Sequence, residues 1–113
     1  MSRPKFLAWH YLDNVNSVEY RIDQISNRLW AFSVRFPDGN WFVGEETTDT
    51  AAKEAAKSIA RSKYPLLPLP RWDDVTDQVN DESWERSQRE RGHPGFDHLP
   101  SVKAKREKDE DLK

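Results

Sequence analysis

"LWAFSVRFPDGNWFVGE", residues 29–45, is the stretch on which the fold turns. Trp30, Phe32, Val34 and Phe36 alternate with Ala31, Ser33 and Arg35, the period of a strand with one buried face. "PDGN" follows. Pro37 presets the second position of a type I turn, and Gly39 takes positive φ without strain. "WFVGE" then resumes the strand, so the stretch is a hairpin. Two registers compete. A four-residue loop pairs Phe36 with Trp41 and Val34 with Val43, giving one continuous apolar face. A three-residue loop closed by a glycine bulge pairs Val34 with Phe42 and turns Trp41 outward. A slip of one residue exchanges the faces, and matching of the apolar faces favours the longer loop.

Toward the N-terminus, "SVEYRID" (17–23) alternates Val18, Tyr20 and Ile22 with Glu19, Arg21 and Asp23, a half-buried strand. "KFLAWHYL" (5–12) is a short strand that is mostly apolar on both faces. "DNVNS" (13–17) and "ISNR" (25–28) are the reversals between strands, Asn and Asp being tolerant of left-handed backbone.

Toward the C-terminus, "TTDT" (47–50) offers caps for a helix that runs to about Tyr64, where Pro65 stops it. At 100° per residue Ala52, Ala55, Ala56 and Ile59 share one side, which lets the helix lie close on a sheet. Lys53, Lys57 and Arg61 fall nearly opposite and are expected to point outward. "YPLLPLPRW" (64–72) is extended, because its three prolines forbid a helix and a regular central strand. Trp72, Val75 and Val79 have helical spacing, and "DESWERSQRERG" (81–92) reads as a further short helix. "GHPGFDHLP" (92–100) reads as loop, and "KAKREKDEDLK" (103–113) has no apolar period.

These readings give an α+β class: an antiparallel sheet of three or four strands, one Ala-rich helix across it and an irregular C-terminal third. The expected organisation is a compact unit over 1–70, an acidic and aromatic strap with short helices over 71–92, and a disordered charged tail over 93–113.

Composition narrows the chemistry. With 113 residues, 35% apolar and 34% charged, the chain suggests one domain whose core would be thin if spread over its whole length. The net charge of −2 does not argue for bulk electrostatic attraction to nucleic acid. The absence of cysteine excludes disulfides, thiol catalysis and cysteine-based zinc sites. "MSRPKFLAWHYL" has no signal-peptide pattern, and no stretch approaches the roughly 18 apolar residues of a membrane span, so a cytoplasmic location without a membrane partner is expected. There is no glycine-rich phosphate loop, no Gly-x-Ser-x-Gly and no carboxylate pair in an apolar context. His93, Asp97 and His98 lack a fourth ligand and rigid spacing. No catalytic residue, metal or cofactor is expected.

Candidate contact residues remain. Lys53, Lys57 and Arg61 recur every four residues, so like charges repel along one helix face. They face water, meet an acidic patch or meet phosphates. Trp41 and Phe42 belong to a ring excess that one Ala-rich helix cannot cover. Such rings pack in a core, stack on bases or anchor a protein interface. Trp72 and Trp84 punctuate the acidic run "RWDDVTDQVNDESWE" (71–85), which is a solvated linker, docks on a basic surface such as the Lys53 stripe, or imitates phosphate.

"FSVRFPDGNWFVGEETTDTAAKEAAKSIARSKY" (32–64) resembles the second half of a double-stranded RNA-binding domain: strand, turn, strand, then an Ala-rich helix whose first turn carries a basic cluster. Lys53, Ala55 and Lys57 sit roughly where that cluster falls. Thr50, Ala51 and Ala52 replace most of its basic start, and nothing upstream resembles the family's first helix. The same pattern also resembles HicB-like antitoxin domains.

The function expected from sequence is a non-enzymatic binding module that acts on another protein or a nucleoprotein complex. A phage or mobile-element accessory or inhibitor protein fits that profile. The alternative is a double-stranded nucleic-acid-binding module that uses the Lys53 helix.

Overall fold

The structure is a computed structural model and describes residues 7–79, 82–96 and 98–104. Expectations for the start of the first strand at Lys5 and Phe6, for Asp97 and for residues 105–113 lie outside the described residues.

Strands β1 (Ala8–Asp13), β2 (Val18–Ser26), β3 (Leu29–Arg35) and β4 (Trp41–Glu46) form an antiparallel meander. Helix α1 (Asp49–Lys63) crosses one face. A two-residue strand, β5 (Asp73–Asp74), pairs with the outer edge of β1, giving the order β4-β3-β2-β1-β5. The sheet therefore has five strands rather than three or four. Asp73 and Asp74 lie beyond Pro70, so the proline restriction has ended and their backbone can enter a ladder. Helices α2 (Thr76–Val79) and α3 (Glu82–Glu90) follow, with one more helical turn over 100–104.

The α1 face is the one expected. Val18, Tyr20, Ile22, Trp30, Phe32, Val34 and Phe36 are buried against Ala52, Ala56 and Ala60, with Ala55 and Ile59 partly buried beside them. Alanine on the contact line brings the helix axis close, and the sheet's rings fill the space between. Thr48 caps the helix, its Oγ1 accepting from Ala51 N at 3.1 Å. The proline-rich strap returns over the same core and buries Leu67.

The hairpin takes the shorter loop, against the expected register. Phe36 N donates to Asn40 O at 3.0 Å and Gly39 N to Phe36 O at 2.9 Å, with Gly39 at φ 87°. Val34 consequently pairs with Phe42 and Arg35 with Trp41. Two features make this register good. It places Gly44 opposite Phe32, and the Phe32 ring occupies the space where a Cβ on Gly44 would stand, with Cζ only 2.4 Å from that point. It also turns Trp41 toward a face that is itself covered, where the indole meets the His93 ring edge-on at 4.6 Å.

That second face carries the larger correction. The fold does not end near Pro70. Phe96, Leu99 and Val102 are buried with Ala31 in a second apolar cluster, flanked by Ile25, Leu29 and Val43. A disordered tail from residue 93 is therefore wrong for the described part of that segment. Pro94, Gly95 and Pro100 interrupt any regular period, which is why the segment reads as loop. Yet its apolar residues still recur every third position and land on the small side chain of Ala31. The sheet is thus covered on both sides, by α1 and by the C-terminal segment.

Candidate functional site

The cationic stripe is not uniformly outward: Lys53 is drawn onto the strap, while Arg61 stays exposed. Lys53 Nζ lies 4.0 Å from the centre of the Trp9 ring and 5.8 Å from that of Trp72. Arg61 Nη2 donates to the Leu67 carbonyl at 3.1 Å, and Lys57 Nζ meets Glu54 at 2.8 Å. The helical repeat explains the difference. Lys53 is one step of 100° from the buried Ala52, so it sits on the flank of α1, where the strap passes. Lys53 does meet the acidic strap, through the Trp72 ring. Lys53 is engaged over two rings, while Lys57 and Arg61 make their contacts at the surface, where Arg61 stays exposed.

The other candidates divide between the two faces. Trp72 packs on Tyr20 with ring centres 5.6 Å apart, on the α1 side. Trp84 packs edge-on against His10 at 5.2 Å, on the opposite side. Trp41 joins His93 there, and its Nε1 donates to the Arg91 carbonyl at 3.4 Å. Phe42 touches Phe36 at 5.3 Å yet remains 47% exposed. The structure brings Lys53 and Trp72 together but does not assemble the seven candidates into one surface.

The residues that sequence reasoning missed form a buried charged layer on the second face. Glu19, Arg21, Asp23, Ser33, Gln88 and His93 are all buried. Glu19 Oε2 accepts from His10 Nε2 at 2.7 Å, Arg91 Nη2 at 2.7 Å and Gln88 Nε2 at 3.3 Å, while Oε1 accepts from Arg35 Nε at 3.0 Å. Burial pushes this carboxyl up, but the His10 bond, the charges of Arg91 and His10 and the Arg35 bond outweigh it and hold the pKa at about 2. Arg21 donates Nε and Nη2 to Asp23 at 2.8 and 2.7 Å, and Nη2 also reaches Glu85. Burial disfavours its charge, and Asp23 with Glu85 reverses that effect, so the guanidinium is held protonated. His93 accepts at Nδ1 from Gly95 N at 2.9 Å and meets Ser33 Oγ through Nε2 at 3.1 Å. Burial, then the positive charge of Arg21, push its pKa down to about 4, so it is neutral near pH 7. The signal for this layer was the unplaced ring excess, which required a second cover.

One edge of the sheet carries no further strand among the described residues. β4 is the last strand in the order, and no described strand lies beyond it. The Phe36–Asn40 bond sets the alternation of the ladder, so the backbone groups of Trp41, Val43 and Glu45 face away from β3. At the other edge β1 is partly shielded by β5 and by the bond from Val75 N to Ala8 O at 2.9 Å.

Comparison with protein-family models, with curated proteins and with solved structures gave no match. Among the described residues no helix is long and apolar enough to cross a membrane, and no group of three His, Asp or Glu side chains is placed to hold a metal ion.

Proposed function

We propose that the chain is a non-enzymatic binding module that acts on another protein or nucleoprotein complex, through the outer edge of β4. The observation that carries this reading is the outer edge of Trp41–Glu46, on which no described strand lies, with the half-exposed Phe42 ring beside it. An extended segment of a partner adds to such an edge by main-chain hydrogen bonds, and exposed side chains along it supply selectivity. Natural edges are commonly blocked by proline, lysine or a bulge. Here the run Trp41–Phe42–Val43–Gly44 contains neither proline nor lysine, and its acids stand only at the end, at Glu45 and Glu46. The alternative reading, duplex nucleic acid on the Lys53 helix, draws less support from a stripe in which Lys53 is already engaged over two rings.

The test is capture of partners from lysate with and without nuclease, using the wild-type chain and Phe42→Lys. Proteins retained after nuclease and lost with Phe42→Lys support the edge. Proteins retained equally by both chains would remove it. Partners lost with nuclease, and lost again when Lys53, Lys57 and Arg61 are changed to Gln, would replace it with the nucleic-acid reading.

A further inference from the structure

We propose that the outer edge of β4 is occupied by a second copy of this chain, the two β4 strands lying antiparallel about a two-fold axis at Val43. The proposal rests on the reading of that edge as a pairing surface, and it names what holds the edge before another protein does.

The ladder fixes the geometry. The backbone groups of Trp41, Val43 and Glu45 face away from β3, and among the described residues no backbone hydrogen bond reaches them. In an antiparallel pair such residues stand opposite one another and exchange both backbone bonds. An axis at Val43 sets Val43 against its own copy and Trp41 against Glu45 of the second copy.

The side chains on the α1 face, Phe42, Gly44 and Glu46, select this axis. Phe42 stands opposite Gly44 of the second copy. Gly44 has no side chain, and the Phe32 ring lies across the place where one would be. The Phe42 ring, 47% exposed in the single chain, is thus received by the Phe32 ring of the second copy. Glu46 stands opposite Asn40 of the second copy. Asn40 O accepts from Phe36 N, and Lys63 Nζ lies 4.7 Å from the centre of the Phe36 ring, so Glu46 comes beside Lys63. Lys63 is 46% exposed, and its contact with Asp38 is long at 3.4 Å, which leaves room for a second carboxylate. By symmetry this charge pair forms twice. Moving the axis toward Phe42 would carry Glu46 to Asp38, and moving it toward Gly44 would set Glu46 against the Phe42 ring. A parallel arrangement would bring the Glu45 and Glu46 carboxylates of the two copies together, where like charges repel. A pair of six-residue strands makes a small contact of the weak, reversible class, so a partner that offers a better strand displaces the copy.

The experiment is sedimentation velocity of the full chain over a range of concentrations, with Glu46→Lys and Lys63→Glu studied singly and mixed. The wild type is expected to pass from monomer to dimer as concentration rises. Each reversal alone sets like charges together at both symmetric positions and is expected to weaken the dimer by at least about five-fold. The mixture of the two variants is expected to recover the wild-type affinity, because the exchanged charges attract across the interface, and that recovery shows in addition that both variants fold. A wild type that stays monomeric at every concentration would overturn the proposal. So would a dimer indifferent to either reversal, or a mixture no tighter than the variants alone. These readings involve no other protein. A monomeric chain that still captures proteins in a Phe42-dependent way would therefore reject the second copy and leave the edge reading standing, whereas equal capture by wild type and Phe42→Lys would reject the edge reading itself.

Discussion

Glu19 and Arg91 meet at 2.7 Å across 72 positions of chain, and the carboxylate that joins them is fully buried. The second strand and the end of α3 are thereby tied together, and residues 93–104 continue across the sheet from that tie. A chain ending at Gly92 keeps the tie but loses His93, Phe96, Leu99 and Val102. Three buried apolar side chains are worth about 1.5–3 kcal/mol each. The shortened chain is expected to melt at least about 5 °C lower in a calorimetric scan. A melting temperature equal to that of the full chain would show that the second cluster adds nothing.

Acid should loosen this face in two stages. The folded pKa of His93 is near 4 against an ordinary value of 6.5, so the unfolded chain binds the proton first. Stability is then complete above pH 6.5 and falls as pH drops from 6.5 toward 4. Glu19 is held at about 2 against an ordinary 4.5, so its contribution is present above 4.5 and is lost as pH falls from 4.5 toward 2. Shifts of this size are worth on the order of 3 kcal/mol each. Urea unfolding from pH 8 to pH 3 should show the first decline before any carboxylate range is reached. His93→Gln should remove that early decline and leave the later one, and a flat profile between pH 7 and pH 5 would contradict the burial of His93.

Gly44 is fixed by packing rather than by backbone conformation. A methyl group there would stand 2.4 Å from Phe32 Cζ, and Phe32 is held in the core and cannot swing away. Gly44→Ala is expected to cost about 1–3 kcal/mol, as overpacking does. Phe32→Leu shortens the side chain at the point of collision, so the double variant should be more stable than the sum of the two single losses. Simple additivity in chemical denaturation would mean that the two sites do not touch.

Lys53 and Lys57 look equivalent in a helical repeat but should not behave alike. Lys53→Gln removes a cation from over Trp9 and Trp72 and is expected to cost about 0.5–1 kcal/mol, with a change in tryptophan emission. Lys57→Gln removes only an i,i+3 pair with Glu54 and should stay within about 0.5 kcal/mol. Combined with Trp72→Leu, the Lys53 loss should shrink, because both changes break one contact. Equal effects at the two lysines would return the stripe to open solvent.

How far these features were readable can be seen along β3. Trp30, Phe32, Val34 and Phe36 announce a buried face because large rings alternate with small and polar residues. The same alternation leaves the fate of Ala31, Ser33 and Arg35 open: a period of two says that the faces differ, not that the second is wet. Glu19, Arg21 and Asp23 read as solvent-facing for the same reason. What buries them is supplied by residues 84–102, and no local pattern connects segments so far apart. The register at Gly39 was misjudged because face matching was weighed without the second cover that receives Trp41. Lys53 was misplaced because a wheel gives an angle but not the course of the strap. The helix itself, with its Thr48 cap and alanine contact line, was legible because every determinant is local.

The order of synthesis gives the charged layer a further consequence. The four-stranded meander and α1 leave the ribosome before the segment that closes the second face. During that interval the uncovered side presents Glu19, Arg21, Asp23 and Arg35 to water, where each is hydrated at no cost. An apolar face of the same area would invite association with other nascent chains. The pairs Arg21–Glu85 and Arg91–Glu19, made only when α3 and Arg91 arrive, let the sheet wait for its cover without becoming adhesive. The desolvation penalty of the finished protein is thus the counterpart of a soluble intermediate.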